Sequence, residues 1–113
     1  MLVLFDNGTP RTLARFLIDR HTVTEARARG WDELDNGDLL AEAEAAGVDV
    51  LVTTDKNLVY QQNLTKRRIA IVVLGQGRWH LIENRVAQVV EAVNSAKPGS
   101  YTEVEIPYPH RNP

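Results

Sequence analysis

Three short apolar runs, separated by long helical patterns, constrain this chain more than any other feature. The runs lie at residues 2–5, 48–52 and 69–74. Parallel strands give such runs because both faces of a parallel sheet are covered, and the crossover between two parallel strands is usually a helix. The sequence therefore predicts a three-layer α/β/α fold with a mainly parallel sheet of four or five strands.

The first half of the chain predicts two helices and a second strand. An apolar stripe after Pro10 predicts a helix that ends near residue 19 or 20, and alternation at 21–26 predicts a strand. A further helix begins after a cap at residue 35 or 36 and stops at Gly47. The residues expected to face inward are Leu13, Phe16 and Leu17 in the first helix, and Leu39, Leu40, Ala43 and Ala46 in the second.

The second half predicts one long helix, an edge strand and a tail. A helix is expected from 80 to 96, ended by Pro98 and Gly99, and an alternating strand from 100 to 106. The proline-rich residues 107–113 are expected to be extended or disordered. The inward stripe of the helix consists of Leu81, Ile82, Val86, Val89, Val90 and Val93.

Composition bounds the class of protein. With 113 residues, 43% hydrophobic and 25% charged, the chain predicts one globular domain over residues 1–106. The absence of cysteine excludes disulfides, thiolate metal sites and a cysteine nucleophile. We expect a cytoplasmic protein, because the start lacks the pattern of a signal peptide and no segment approaches the roughly 20 apolar residues of a membrane helix. A net charge of -2 neither supports nor excludes an RNA partner.

Two of the apolar runs lead into an aspartate. Asp6 follows the first run directly, and Asp55 follows the second after two threonines. In open parallel sheets, ligands bind beyond the carboxyl ends of the strands, where the strand order reverses. If the two strands are neighbours, the two carboxylates leave the sheet on the same side and repel each other unless a cation lies between them.

Two further acids precede the Asp55 strand. Asp38 lies in the first turn of the preceding helix, and Glu42 is one turn further along the same face. Carboxylate oxygens suit Mg²⁺ or Mn²⁺, which retain several waters. Such an ion lowers the pKa of a bound water and neutralises charge on a phosphoryl group, so the sequence predicts phosphodiester hydrolysis.

Each of these acids also has a purely structural interpretation. Asp6 can be a turn former, Asp38 can stabilise a helix start through the macrodipole, and Glu42 can be a solvated helix residue. Asp55 can form a surface ion pair with Lys56, although its place after a buried strand favours a functional role. Both interpretations stay open at this point.

At these residues the chain resembles the PIN-like domain superfamily, small metal-dependent nucleases that include the VapC-type toxins of toxin–antitoxin pairs. The similarity covers nearly the whole chain up to about residue 105. The segments that carry it are LFDNGTPRTLA at 4–14, NGDLLAEAEAAG at 36–47 and VLVTTDKNL at 50–58. A further segment, VVLGQGRW at 72–79, lies where the family has its fourth strand. The resemblance implies a PIN-like fold, Asp6, Asp38 and Asp55 as acidic metal-site residues, an RNA substrate and a small antitoxin as partner.

The chain departs from the family pattern at two positions. The family often has an acid two residues after the third aspartate, and here that residue is Asn57. Asn57 can coordinate through its amide oxygen, but one negative charge is lost. The family also often has an asparagine where Gly8 stands. The loss of charge at Asn57 favours an alternative function, a catalytically weak PIN-like module that acts by binding protein or RNA.

Basic and aromatic residues near the predicted site have two interpretations as well. Arg11, Lys56 and Arg78 can hold RNA phosphate through paired hydrogen bonds. The densest basic run, at 65–68, is more typical of a solvated approach to a strand. The two tryptophans can stack on bases, although we expect partial burial for both.

Together with the resemblance, the sequence predicts a Mg²⁺- or Mn²⁺-dependent ribonuclease, with Asp6, Asp38, Asp55 and Asn57 as metal ligands and Glu42 near them. A further alternative is a response-regulator-like receiver, whose fold also gathers acids at strand ends. The adjacent acidic pair expected near the start of a receiver is missing here. The sequence leaves open whether the protein forms a homodimer.

Overall fold

The core of the protein is a five-stranded sheet in which each neighbouring pair of strands is parallel. A computed structural model describes residues 1–58 and 66–108. The order across the sheet is β2-β1-β3-β4-β5, so the predicted α/β class and parallel sheet are confirmed. The strands are β1 (Leu2–Phe5), β2 (Thr22–Glu25), β3 (Val50–Thr53), β4 (Ala70–Leu74) and β5 (Tyr101–Val104).

Helices cover both faces of this sheet. Successive side chains of a strand point to opposite faces, so the central strand β3 sends Val50 and Val52 to one face and Leu51 to the other. The described α-helices are α1 (Asn36–Ala45), α2 (Trp79–Ile82) and α3 (Val86–Asn94). The face of Leu51 packs on α1 through Leu39, Leu40 and Ala43, and the opposite face packs on α2 and α3 through Leu81, Ile82, Val89 and Val93.

Three of the predicted helical features are corrected. The segment after Pro10 is a 3₁₀ helix, Arg11–Phe16, in which the Leu13 N–H donates to the Pro10 carbonyl at 3.2 Å. Phe16 is 43% exposed and stacks on Trp79 with 5.8 Å between ring centroids, so it does not face the core. Ala46 is exposed and follows the last residue of α1.

The predicted long helix from 80 to 96 is divided. A 3₁₀ turn, Glu83–Arg85, separates α2 from α3, although the apolar stripe still faces the sheet. Strand β5 is the predicted edge strand and pairs in parallel with β4. Residues 109–113 of the predicted tail lie outside the described residues. In the described part of the chain, no helix has the length and apolar character needed to cross a membrane.

The strand order reverses between β1 and β3. The chain goes from β1 to β2 on one side, whereas β3, β4 and β5 follow one another on the other side. The Asp6 N–H donates to the Val52 carbonyl at 3.0 Å and ties the end of β1 to β3. A crevice at the carboxyl ends of these two strands is therefore where the fold favours a ligand.

Candidate functional site

The hydroxyl of one threonine links the two strand-end aspartates. Thr53, the last residue of β3, is fully buried and donates from its Oγ1 to Asp6 Oδ2 at 2.8 Å. The same Oγ1 accepts the Asp55 N–H at 3.1 Å. The sequence predicted neighbouring strands with carboxylates on the same side, and the structure brings Asp6 and Asp55 into one hydrogen-bond network. We refer to Asp6, Thr53 and Asp55 as the strand-end network.

The start of α1 contributes an asparagine to this network. Asp35 is the N-cap of α1 and accepts the Asp38 N–H at 2.9 Å. With Asp35 in the capping position, Asn36 is free of that role, and its Nδ2 donates to Asp55 Oδ2 at 3.0 Å. The helix therefore reaches the network through Asn36, whereas the side chain of Asp38 is exposed.

The predicted group of three acids is not formed. Within residues 1–58 and 66–108, no three side chains of Asp, Glu, His or Cys are arranged so that they could hold a metal ion. Asn57 is exposed, and its backbone N–H donates to Asp55 Oδ1 at 2.9 Å. Glu42 is exposed on α1. The roles of Asp38, Asn57 and Glu42 at a metal stay predictions.

The two carboxylates of the network nevertheless fit a hard divalent cation. Among the described residues, each oxygen of these two carboxylates accepts one hydrogen bond. The Asp6 oxygens accept from the Asn7 N–H and from Thr53, and the Asp55 oxygens accept from the Asn57 N–H and from Asn36. Since a carboxylate offers about four lone-pair positions, both groups retain acceptor capacity. Mg²⁺ is commonly bound by one or two carboxylates and several waters.

Close contact between three loops fixes the position of the network. A Cβ at Gly8, after β1, would lie 2.4 Å from Thr54 Oγ1, after β3. A Cβ at Gly77, after β4, would lie 2.5 Å from the Gly8 carbonyl oxygen. The contact at Gly77 is with backbone and requires glycine, whereas the contact at Gly8 is with the side-chain hydroxyl of Thr54. The hydroxyl of Thr54 thus occupies the space that an asparagine at position 8 would need.

A cleft opens beside Asp6, on the side of β2. It has a volume of about 430 Å³, and two of its walls are the loop after β1 and the 3₁₀ turn Arg27–Arg29. Its charged lining residues are Asp6, Arg11, Glu25 and Arg27. Arg11 Nε donates to both carboxylate oxygens of Glu25, at 2.9 and 3.0 Å. The predicted phosphate ligand Arg11 therefore lies next to Asp6 and is paired with a carboxylate.

The other two predicted phosphate ligands lie elsewhere. Lys56 is exposed and lines a separate cleft of about 550 Å³ with Glu103 and Glu105. Arg78 is exposed at the N-cap position of α2. Neither residue lines the cleft beside Asp6.

The basic run at 65–68 is tied to α1 where it is described; Thr65 lies outside the described residues. Arg67 Nη1 donates to Glu44 Oε1 at 2.7 Å, and the Arg68 N–H donates to Glu44 Oε2 at 3.0 Å. Partial burial raises the pKa of Glu44, but these two hydrogen bonds and the charges of both arginines outweigh it, so the pKa lies below its ordinary value of 4.5.

Both tryptophans are half-buried, as expected. The Arg29 guanidinium lies 5.3 Å from the ring centroid of Trp31 as a cation–π pair, and Trp79 stacks on Phe16. One face of each indole is thus already covered.

Sequence reasoning missed four residues that the structure places at or beside the site. Thr53 and Glu25 are the last residues of two strands that the pattern had already predicted, so their positions were available as a signal. Asn36 was considered only as an alternative helix cap. Arg27 gave no signal, because its place in the cleft depends on how the chain turns after β2.

Comparison with protein-family models, with curated proteins and with solved structures finds no match to this chain.

Proposed function

We propose that this protein is a Mg²⁺- or Mn²⁺-dependent ribonuclease whose site is built on Asp6 and Asp55. The observation that carries the proposal is the buried Thr53 hydroxyl, which joins the carboxylate of Asp6 to the backbone N–H of Asp55 at the point where strand order reverses. The resemblance of the surrounding segments to PIN-like nucleases supports the same reaction.

The residues of the chain have distinct roles in this reaction. Asp6 and Asp55 would hold the cation, Thr53 keeps them in a fixed relative position, and Asn36 orients the carboxylate of Asp55. When bound, the cation supplies charge neutralisation at the phosphoryl group and activation of water. Arg11 lies in the adjacent cleft, where its guanidinium can pair with a neighbouring phosphate of the RNA.

A cleavage assay with matched aspartate variants tests the proposal. Labelled single-stranded RNA is incubated with the wild-type protein with and without Mn²⁺, and with Asp6→Asn, Asp55→Asn and Asp49→Asn. Asp49 is the control because it binds a backbone N–H at the opposite ends of β1 and β3. Losing a ligand that serves transition-state charge removes several kcal/mol, so we expect the first two variants to be slower by on the order of 100-fold.

The outcomes separate the ribonuclease from its alternative. Cleavage that needs Mn²⁺ and survives only in Asp49→Asn supports the proposal. Retained RNA binding with no cleavage in the wild type points to the catalytically weak binding module, which the loss of charge at Asn57 favours. Cleavage that is equal in all four proteins marks a contaminant and removes the basis of the proposal.

A receiver function is the second candidate because receivers share the strand order β2-β1-β3-β4-β5. Asp55 follows β3, but the residue before Asp6 is the buried Phe5, so an adjacent acidic pair is missing. Incubation with acetyl phosphate and Mg²⁺, followed by intact mass measurement, separates the two functions. A phosphorylated Asp55 supports a receiver, and an unchanged mass removes that candidate.

The resemblance also supports a role as a cytoplasmic toxin that a small antitoxin restrains. Expression of the chain alone would then inhibit growth, and co-expression with a small protein encoded beside it would restore growth and yield a complex. Co-expression that changes neither growth nor complex formation contradicts this role. Sedimentation of the purified chain tests the homodimer that the sequence leaves open.

A further inference from the structure

The cleft beside Asp6 contains opposite charges in contact. Arg11 and Glu25 are paired through one guanidinium nitrogen and both carboxylate oxygens, and Arg27 lines the same cleft. Neither of the ion pairs found among the described residues includes Arg27. Two cations and the two carboxylates of Asp6 and Glu25 leave the cleft with no net charge as it stands.

The exposed fractions show which partner of the pair can move. The side chain of Arg11 is 83% exposed, whereas that of Glu25 is 30% exposed at the end of β2. An exposed ion pair contributes under about 1 kcal/mol. Guanidinium groups bind phosphate in a bidentate manner. A phosphate can therefore replace Glu25 as the partner of Arg11 with only a small loss of stabilising free energy.

The volume of the cleft limits the size of the ligand that it can hold. A volume of about 430 Å³ falls at the small end of the range for ligand sites, about 300–1,000 Å³, and suits a single nucleotide unit. The cleft is also lined by Asp6, so a nucleotide bound there is next to the strand-end network. The cleft thus suits the nucleotide that adjoins the bond to be cleaved.

We propose that this cleft is a subsite for one nucleotide of single-stranded RNA, that Arg11 and Arg27 hold its phosphate, and that Glu25 limits affinity by competing for Arg11. The choice of RNA rests on the proposed ribonuclease function. Glu25 is then a specificity-determining residue, since a ligand must offer Arg11 a stronger partner than a carboxylate.

Binding without metal tests this inference separately from cleavage. Fluorescence anisotropy of a labelled single-stranded RNA of about ten nucleotides is measured in EDTA over a range of salt concentrations. Arg11→Gln and Arg27→Gln are each expected to weaken binding about fivefold near 0.1 M salt and to lower the salt slope by about 0.7. Arg20→Gln is the control, because Arg20 lies before the amino end of β2, whereas the cleft lies at the carboxyl end of that strand, and Arg20 lines a different pocket.

The competition by Glu25 has its own readout. Glu25→Gln is expected to tighten RNA binding about threefold, in line with the strength of an exposed ion pair. In the Arg11→Gln background the same substitution is expected to have a smaller effect, since the competition acts through Arg11. This double-mutant cycle separates competition from a general change of charge.

Each outcome bears on the inference directly. Failure of the wild type to bind RNA, or an equal loss in Arg20→Gln, overturns the subsite. Weaker or unchanged binding by Glu25→Gln, or equal tightening in both backgrounds, overturns the role of Glu25. Binding that follows the expected pattern in a protein without nuclease activity supports the subsite and ends the ribonuclease proposal.

Discussion

The two ends of β1 and β3 both have an aspartate that accepts a backbone hydrogen bond, yet their surroundings differ. At the amino ends, exposed Asp49 accepts the Leu2 N–H at 2.8 Å. At the carboxyl ends, Asp6 and Asp55 are partly buried and linked by Thr53. An aspartate beside a strand is thus not a site by itself. A second carboxylate, a buried linking hydroxyl and an adjacent cleft distinguish the carboxyl end.

The largest expected effect on stability comes from Gly77→Ala at the carboxyl end. Its Cβ would meet the Gly8 carbonyl oxygen at 2.5 Å, so two backbone segments must separate. Overpacking costs about 1–3 kcal/mol. We expect about 3 kcal/mol here, because the Gly8 carbonyl is backbone and cannot move aside as a flexible side chain would. Urea unfolding measures the loss.

Gly47→Ala is the matched control at the amino end. Gly47 has a φ of 81° and no atom within 4 Å of a Cβ, so alanine there introduces backbone strain alone, about 1 kcal/mol. We also expect only Gly77→Ala to weaken Mn²⁺ binding. Equal losses of stability in the two variants would show that the loops at the carboxyl end are not closely packed.

The second prediction removes the link between the Asp6 carboxylate and the Asp55 backbone. Thr53→Val keeps the shape of a buried side chain but leaves the Asp55 N–H without its acceptor and Asp6 Oδ2 without its donor. An unsatisfied group of this kind costs about 1–3 kcal/mol, so we expect the free energy of unfolding to fall by about 2 kcal/mol. Asp49→Asn keeps an acceptor for the Leu2 N–H and should cost less than about 0.5 kcal/mol. A Thr53→Val protein as stable as wild type contradicts the network.

The third prediction concerns the charge missing at Asn57. Asn57→Asp adds a carboxylate two residues after Asp55, and solvent screens much of its effect because position 57 is exposed. We expect Mn²⁺ binding to tighten about tenfold, or roughly 1.4 kcal/mol, by titration calorimetry. Asp55→Asn should abolish binding. Unchanged affinity in Asn57→Asp, with normal binding by Asp55→Asn, would mean that the ion is not held here.

Local patterns predicted most of the fold because the three central strands, β1, β3 and β4, are largely buried on both faces. The runs at residues 2–5, 48–52 and 69–74 match β1, β3 and β4 to within two residues. Periodicity failed where the helix type changes, at Arg11–Phe16 and Glu83–Arg85. A 3₁₀ helix and an α-helix share nearly the same apolar spacing over one turn, so the pattern alone cannot separate them.

The candidate site was predicted only in part, for a related reason. Asp6 and Asp55 follow strands, so the order of the strands decides that they meet. Asp38 was predicted to be a site residue from its position on a helix. Whether its side chain faces the site depends on which residue caps that helix, and in the structure it is exposed. The pairing of Arg11 with Glu25 joins the connection after β1 to the end of β2, which local spacing does not encode.

The smallest expected effect lies away from the carboxyl end, where Glu44 holds Arg67 and the Arg68 N–H. The pKa of Glu44 is lowered in the folded protein, so its contribution to stability is fully present above the ordinary value of 4.5 and is lost as the pH falls through the lower folded value. Both side chains of the pair retain some solvent contact, 21% for Glu44 and 26% for Arg67, so the contribution at neutral pH should stay below about 1 kcal/mol.

Glu44→Gln should therefore be slightly less stable than wild type at pH 7, and the difference should shrink as the pH falls below 4.5. Urea unfolding over this range measures it, with Glu42→Gln, an exposed position on the same helix, as the control. A difference in the free energy of unfolding that stays constant with pH, or that is equally large in Glu42→Gln, would mean that the ion pair does not stabilise the contact between α1 and the chain before β4.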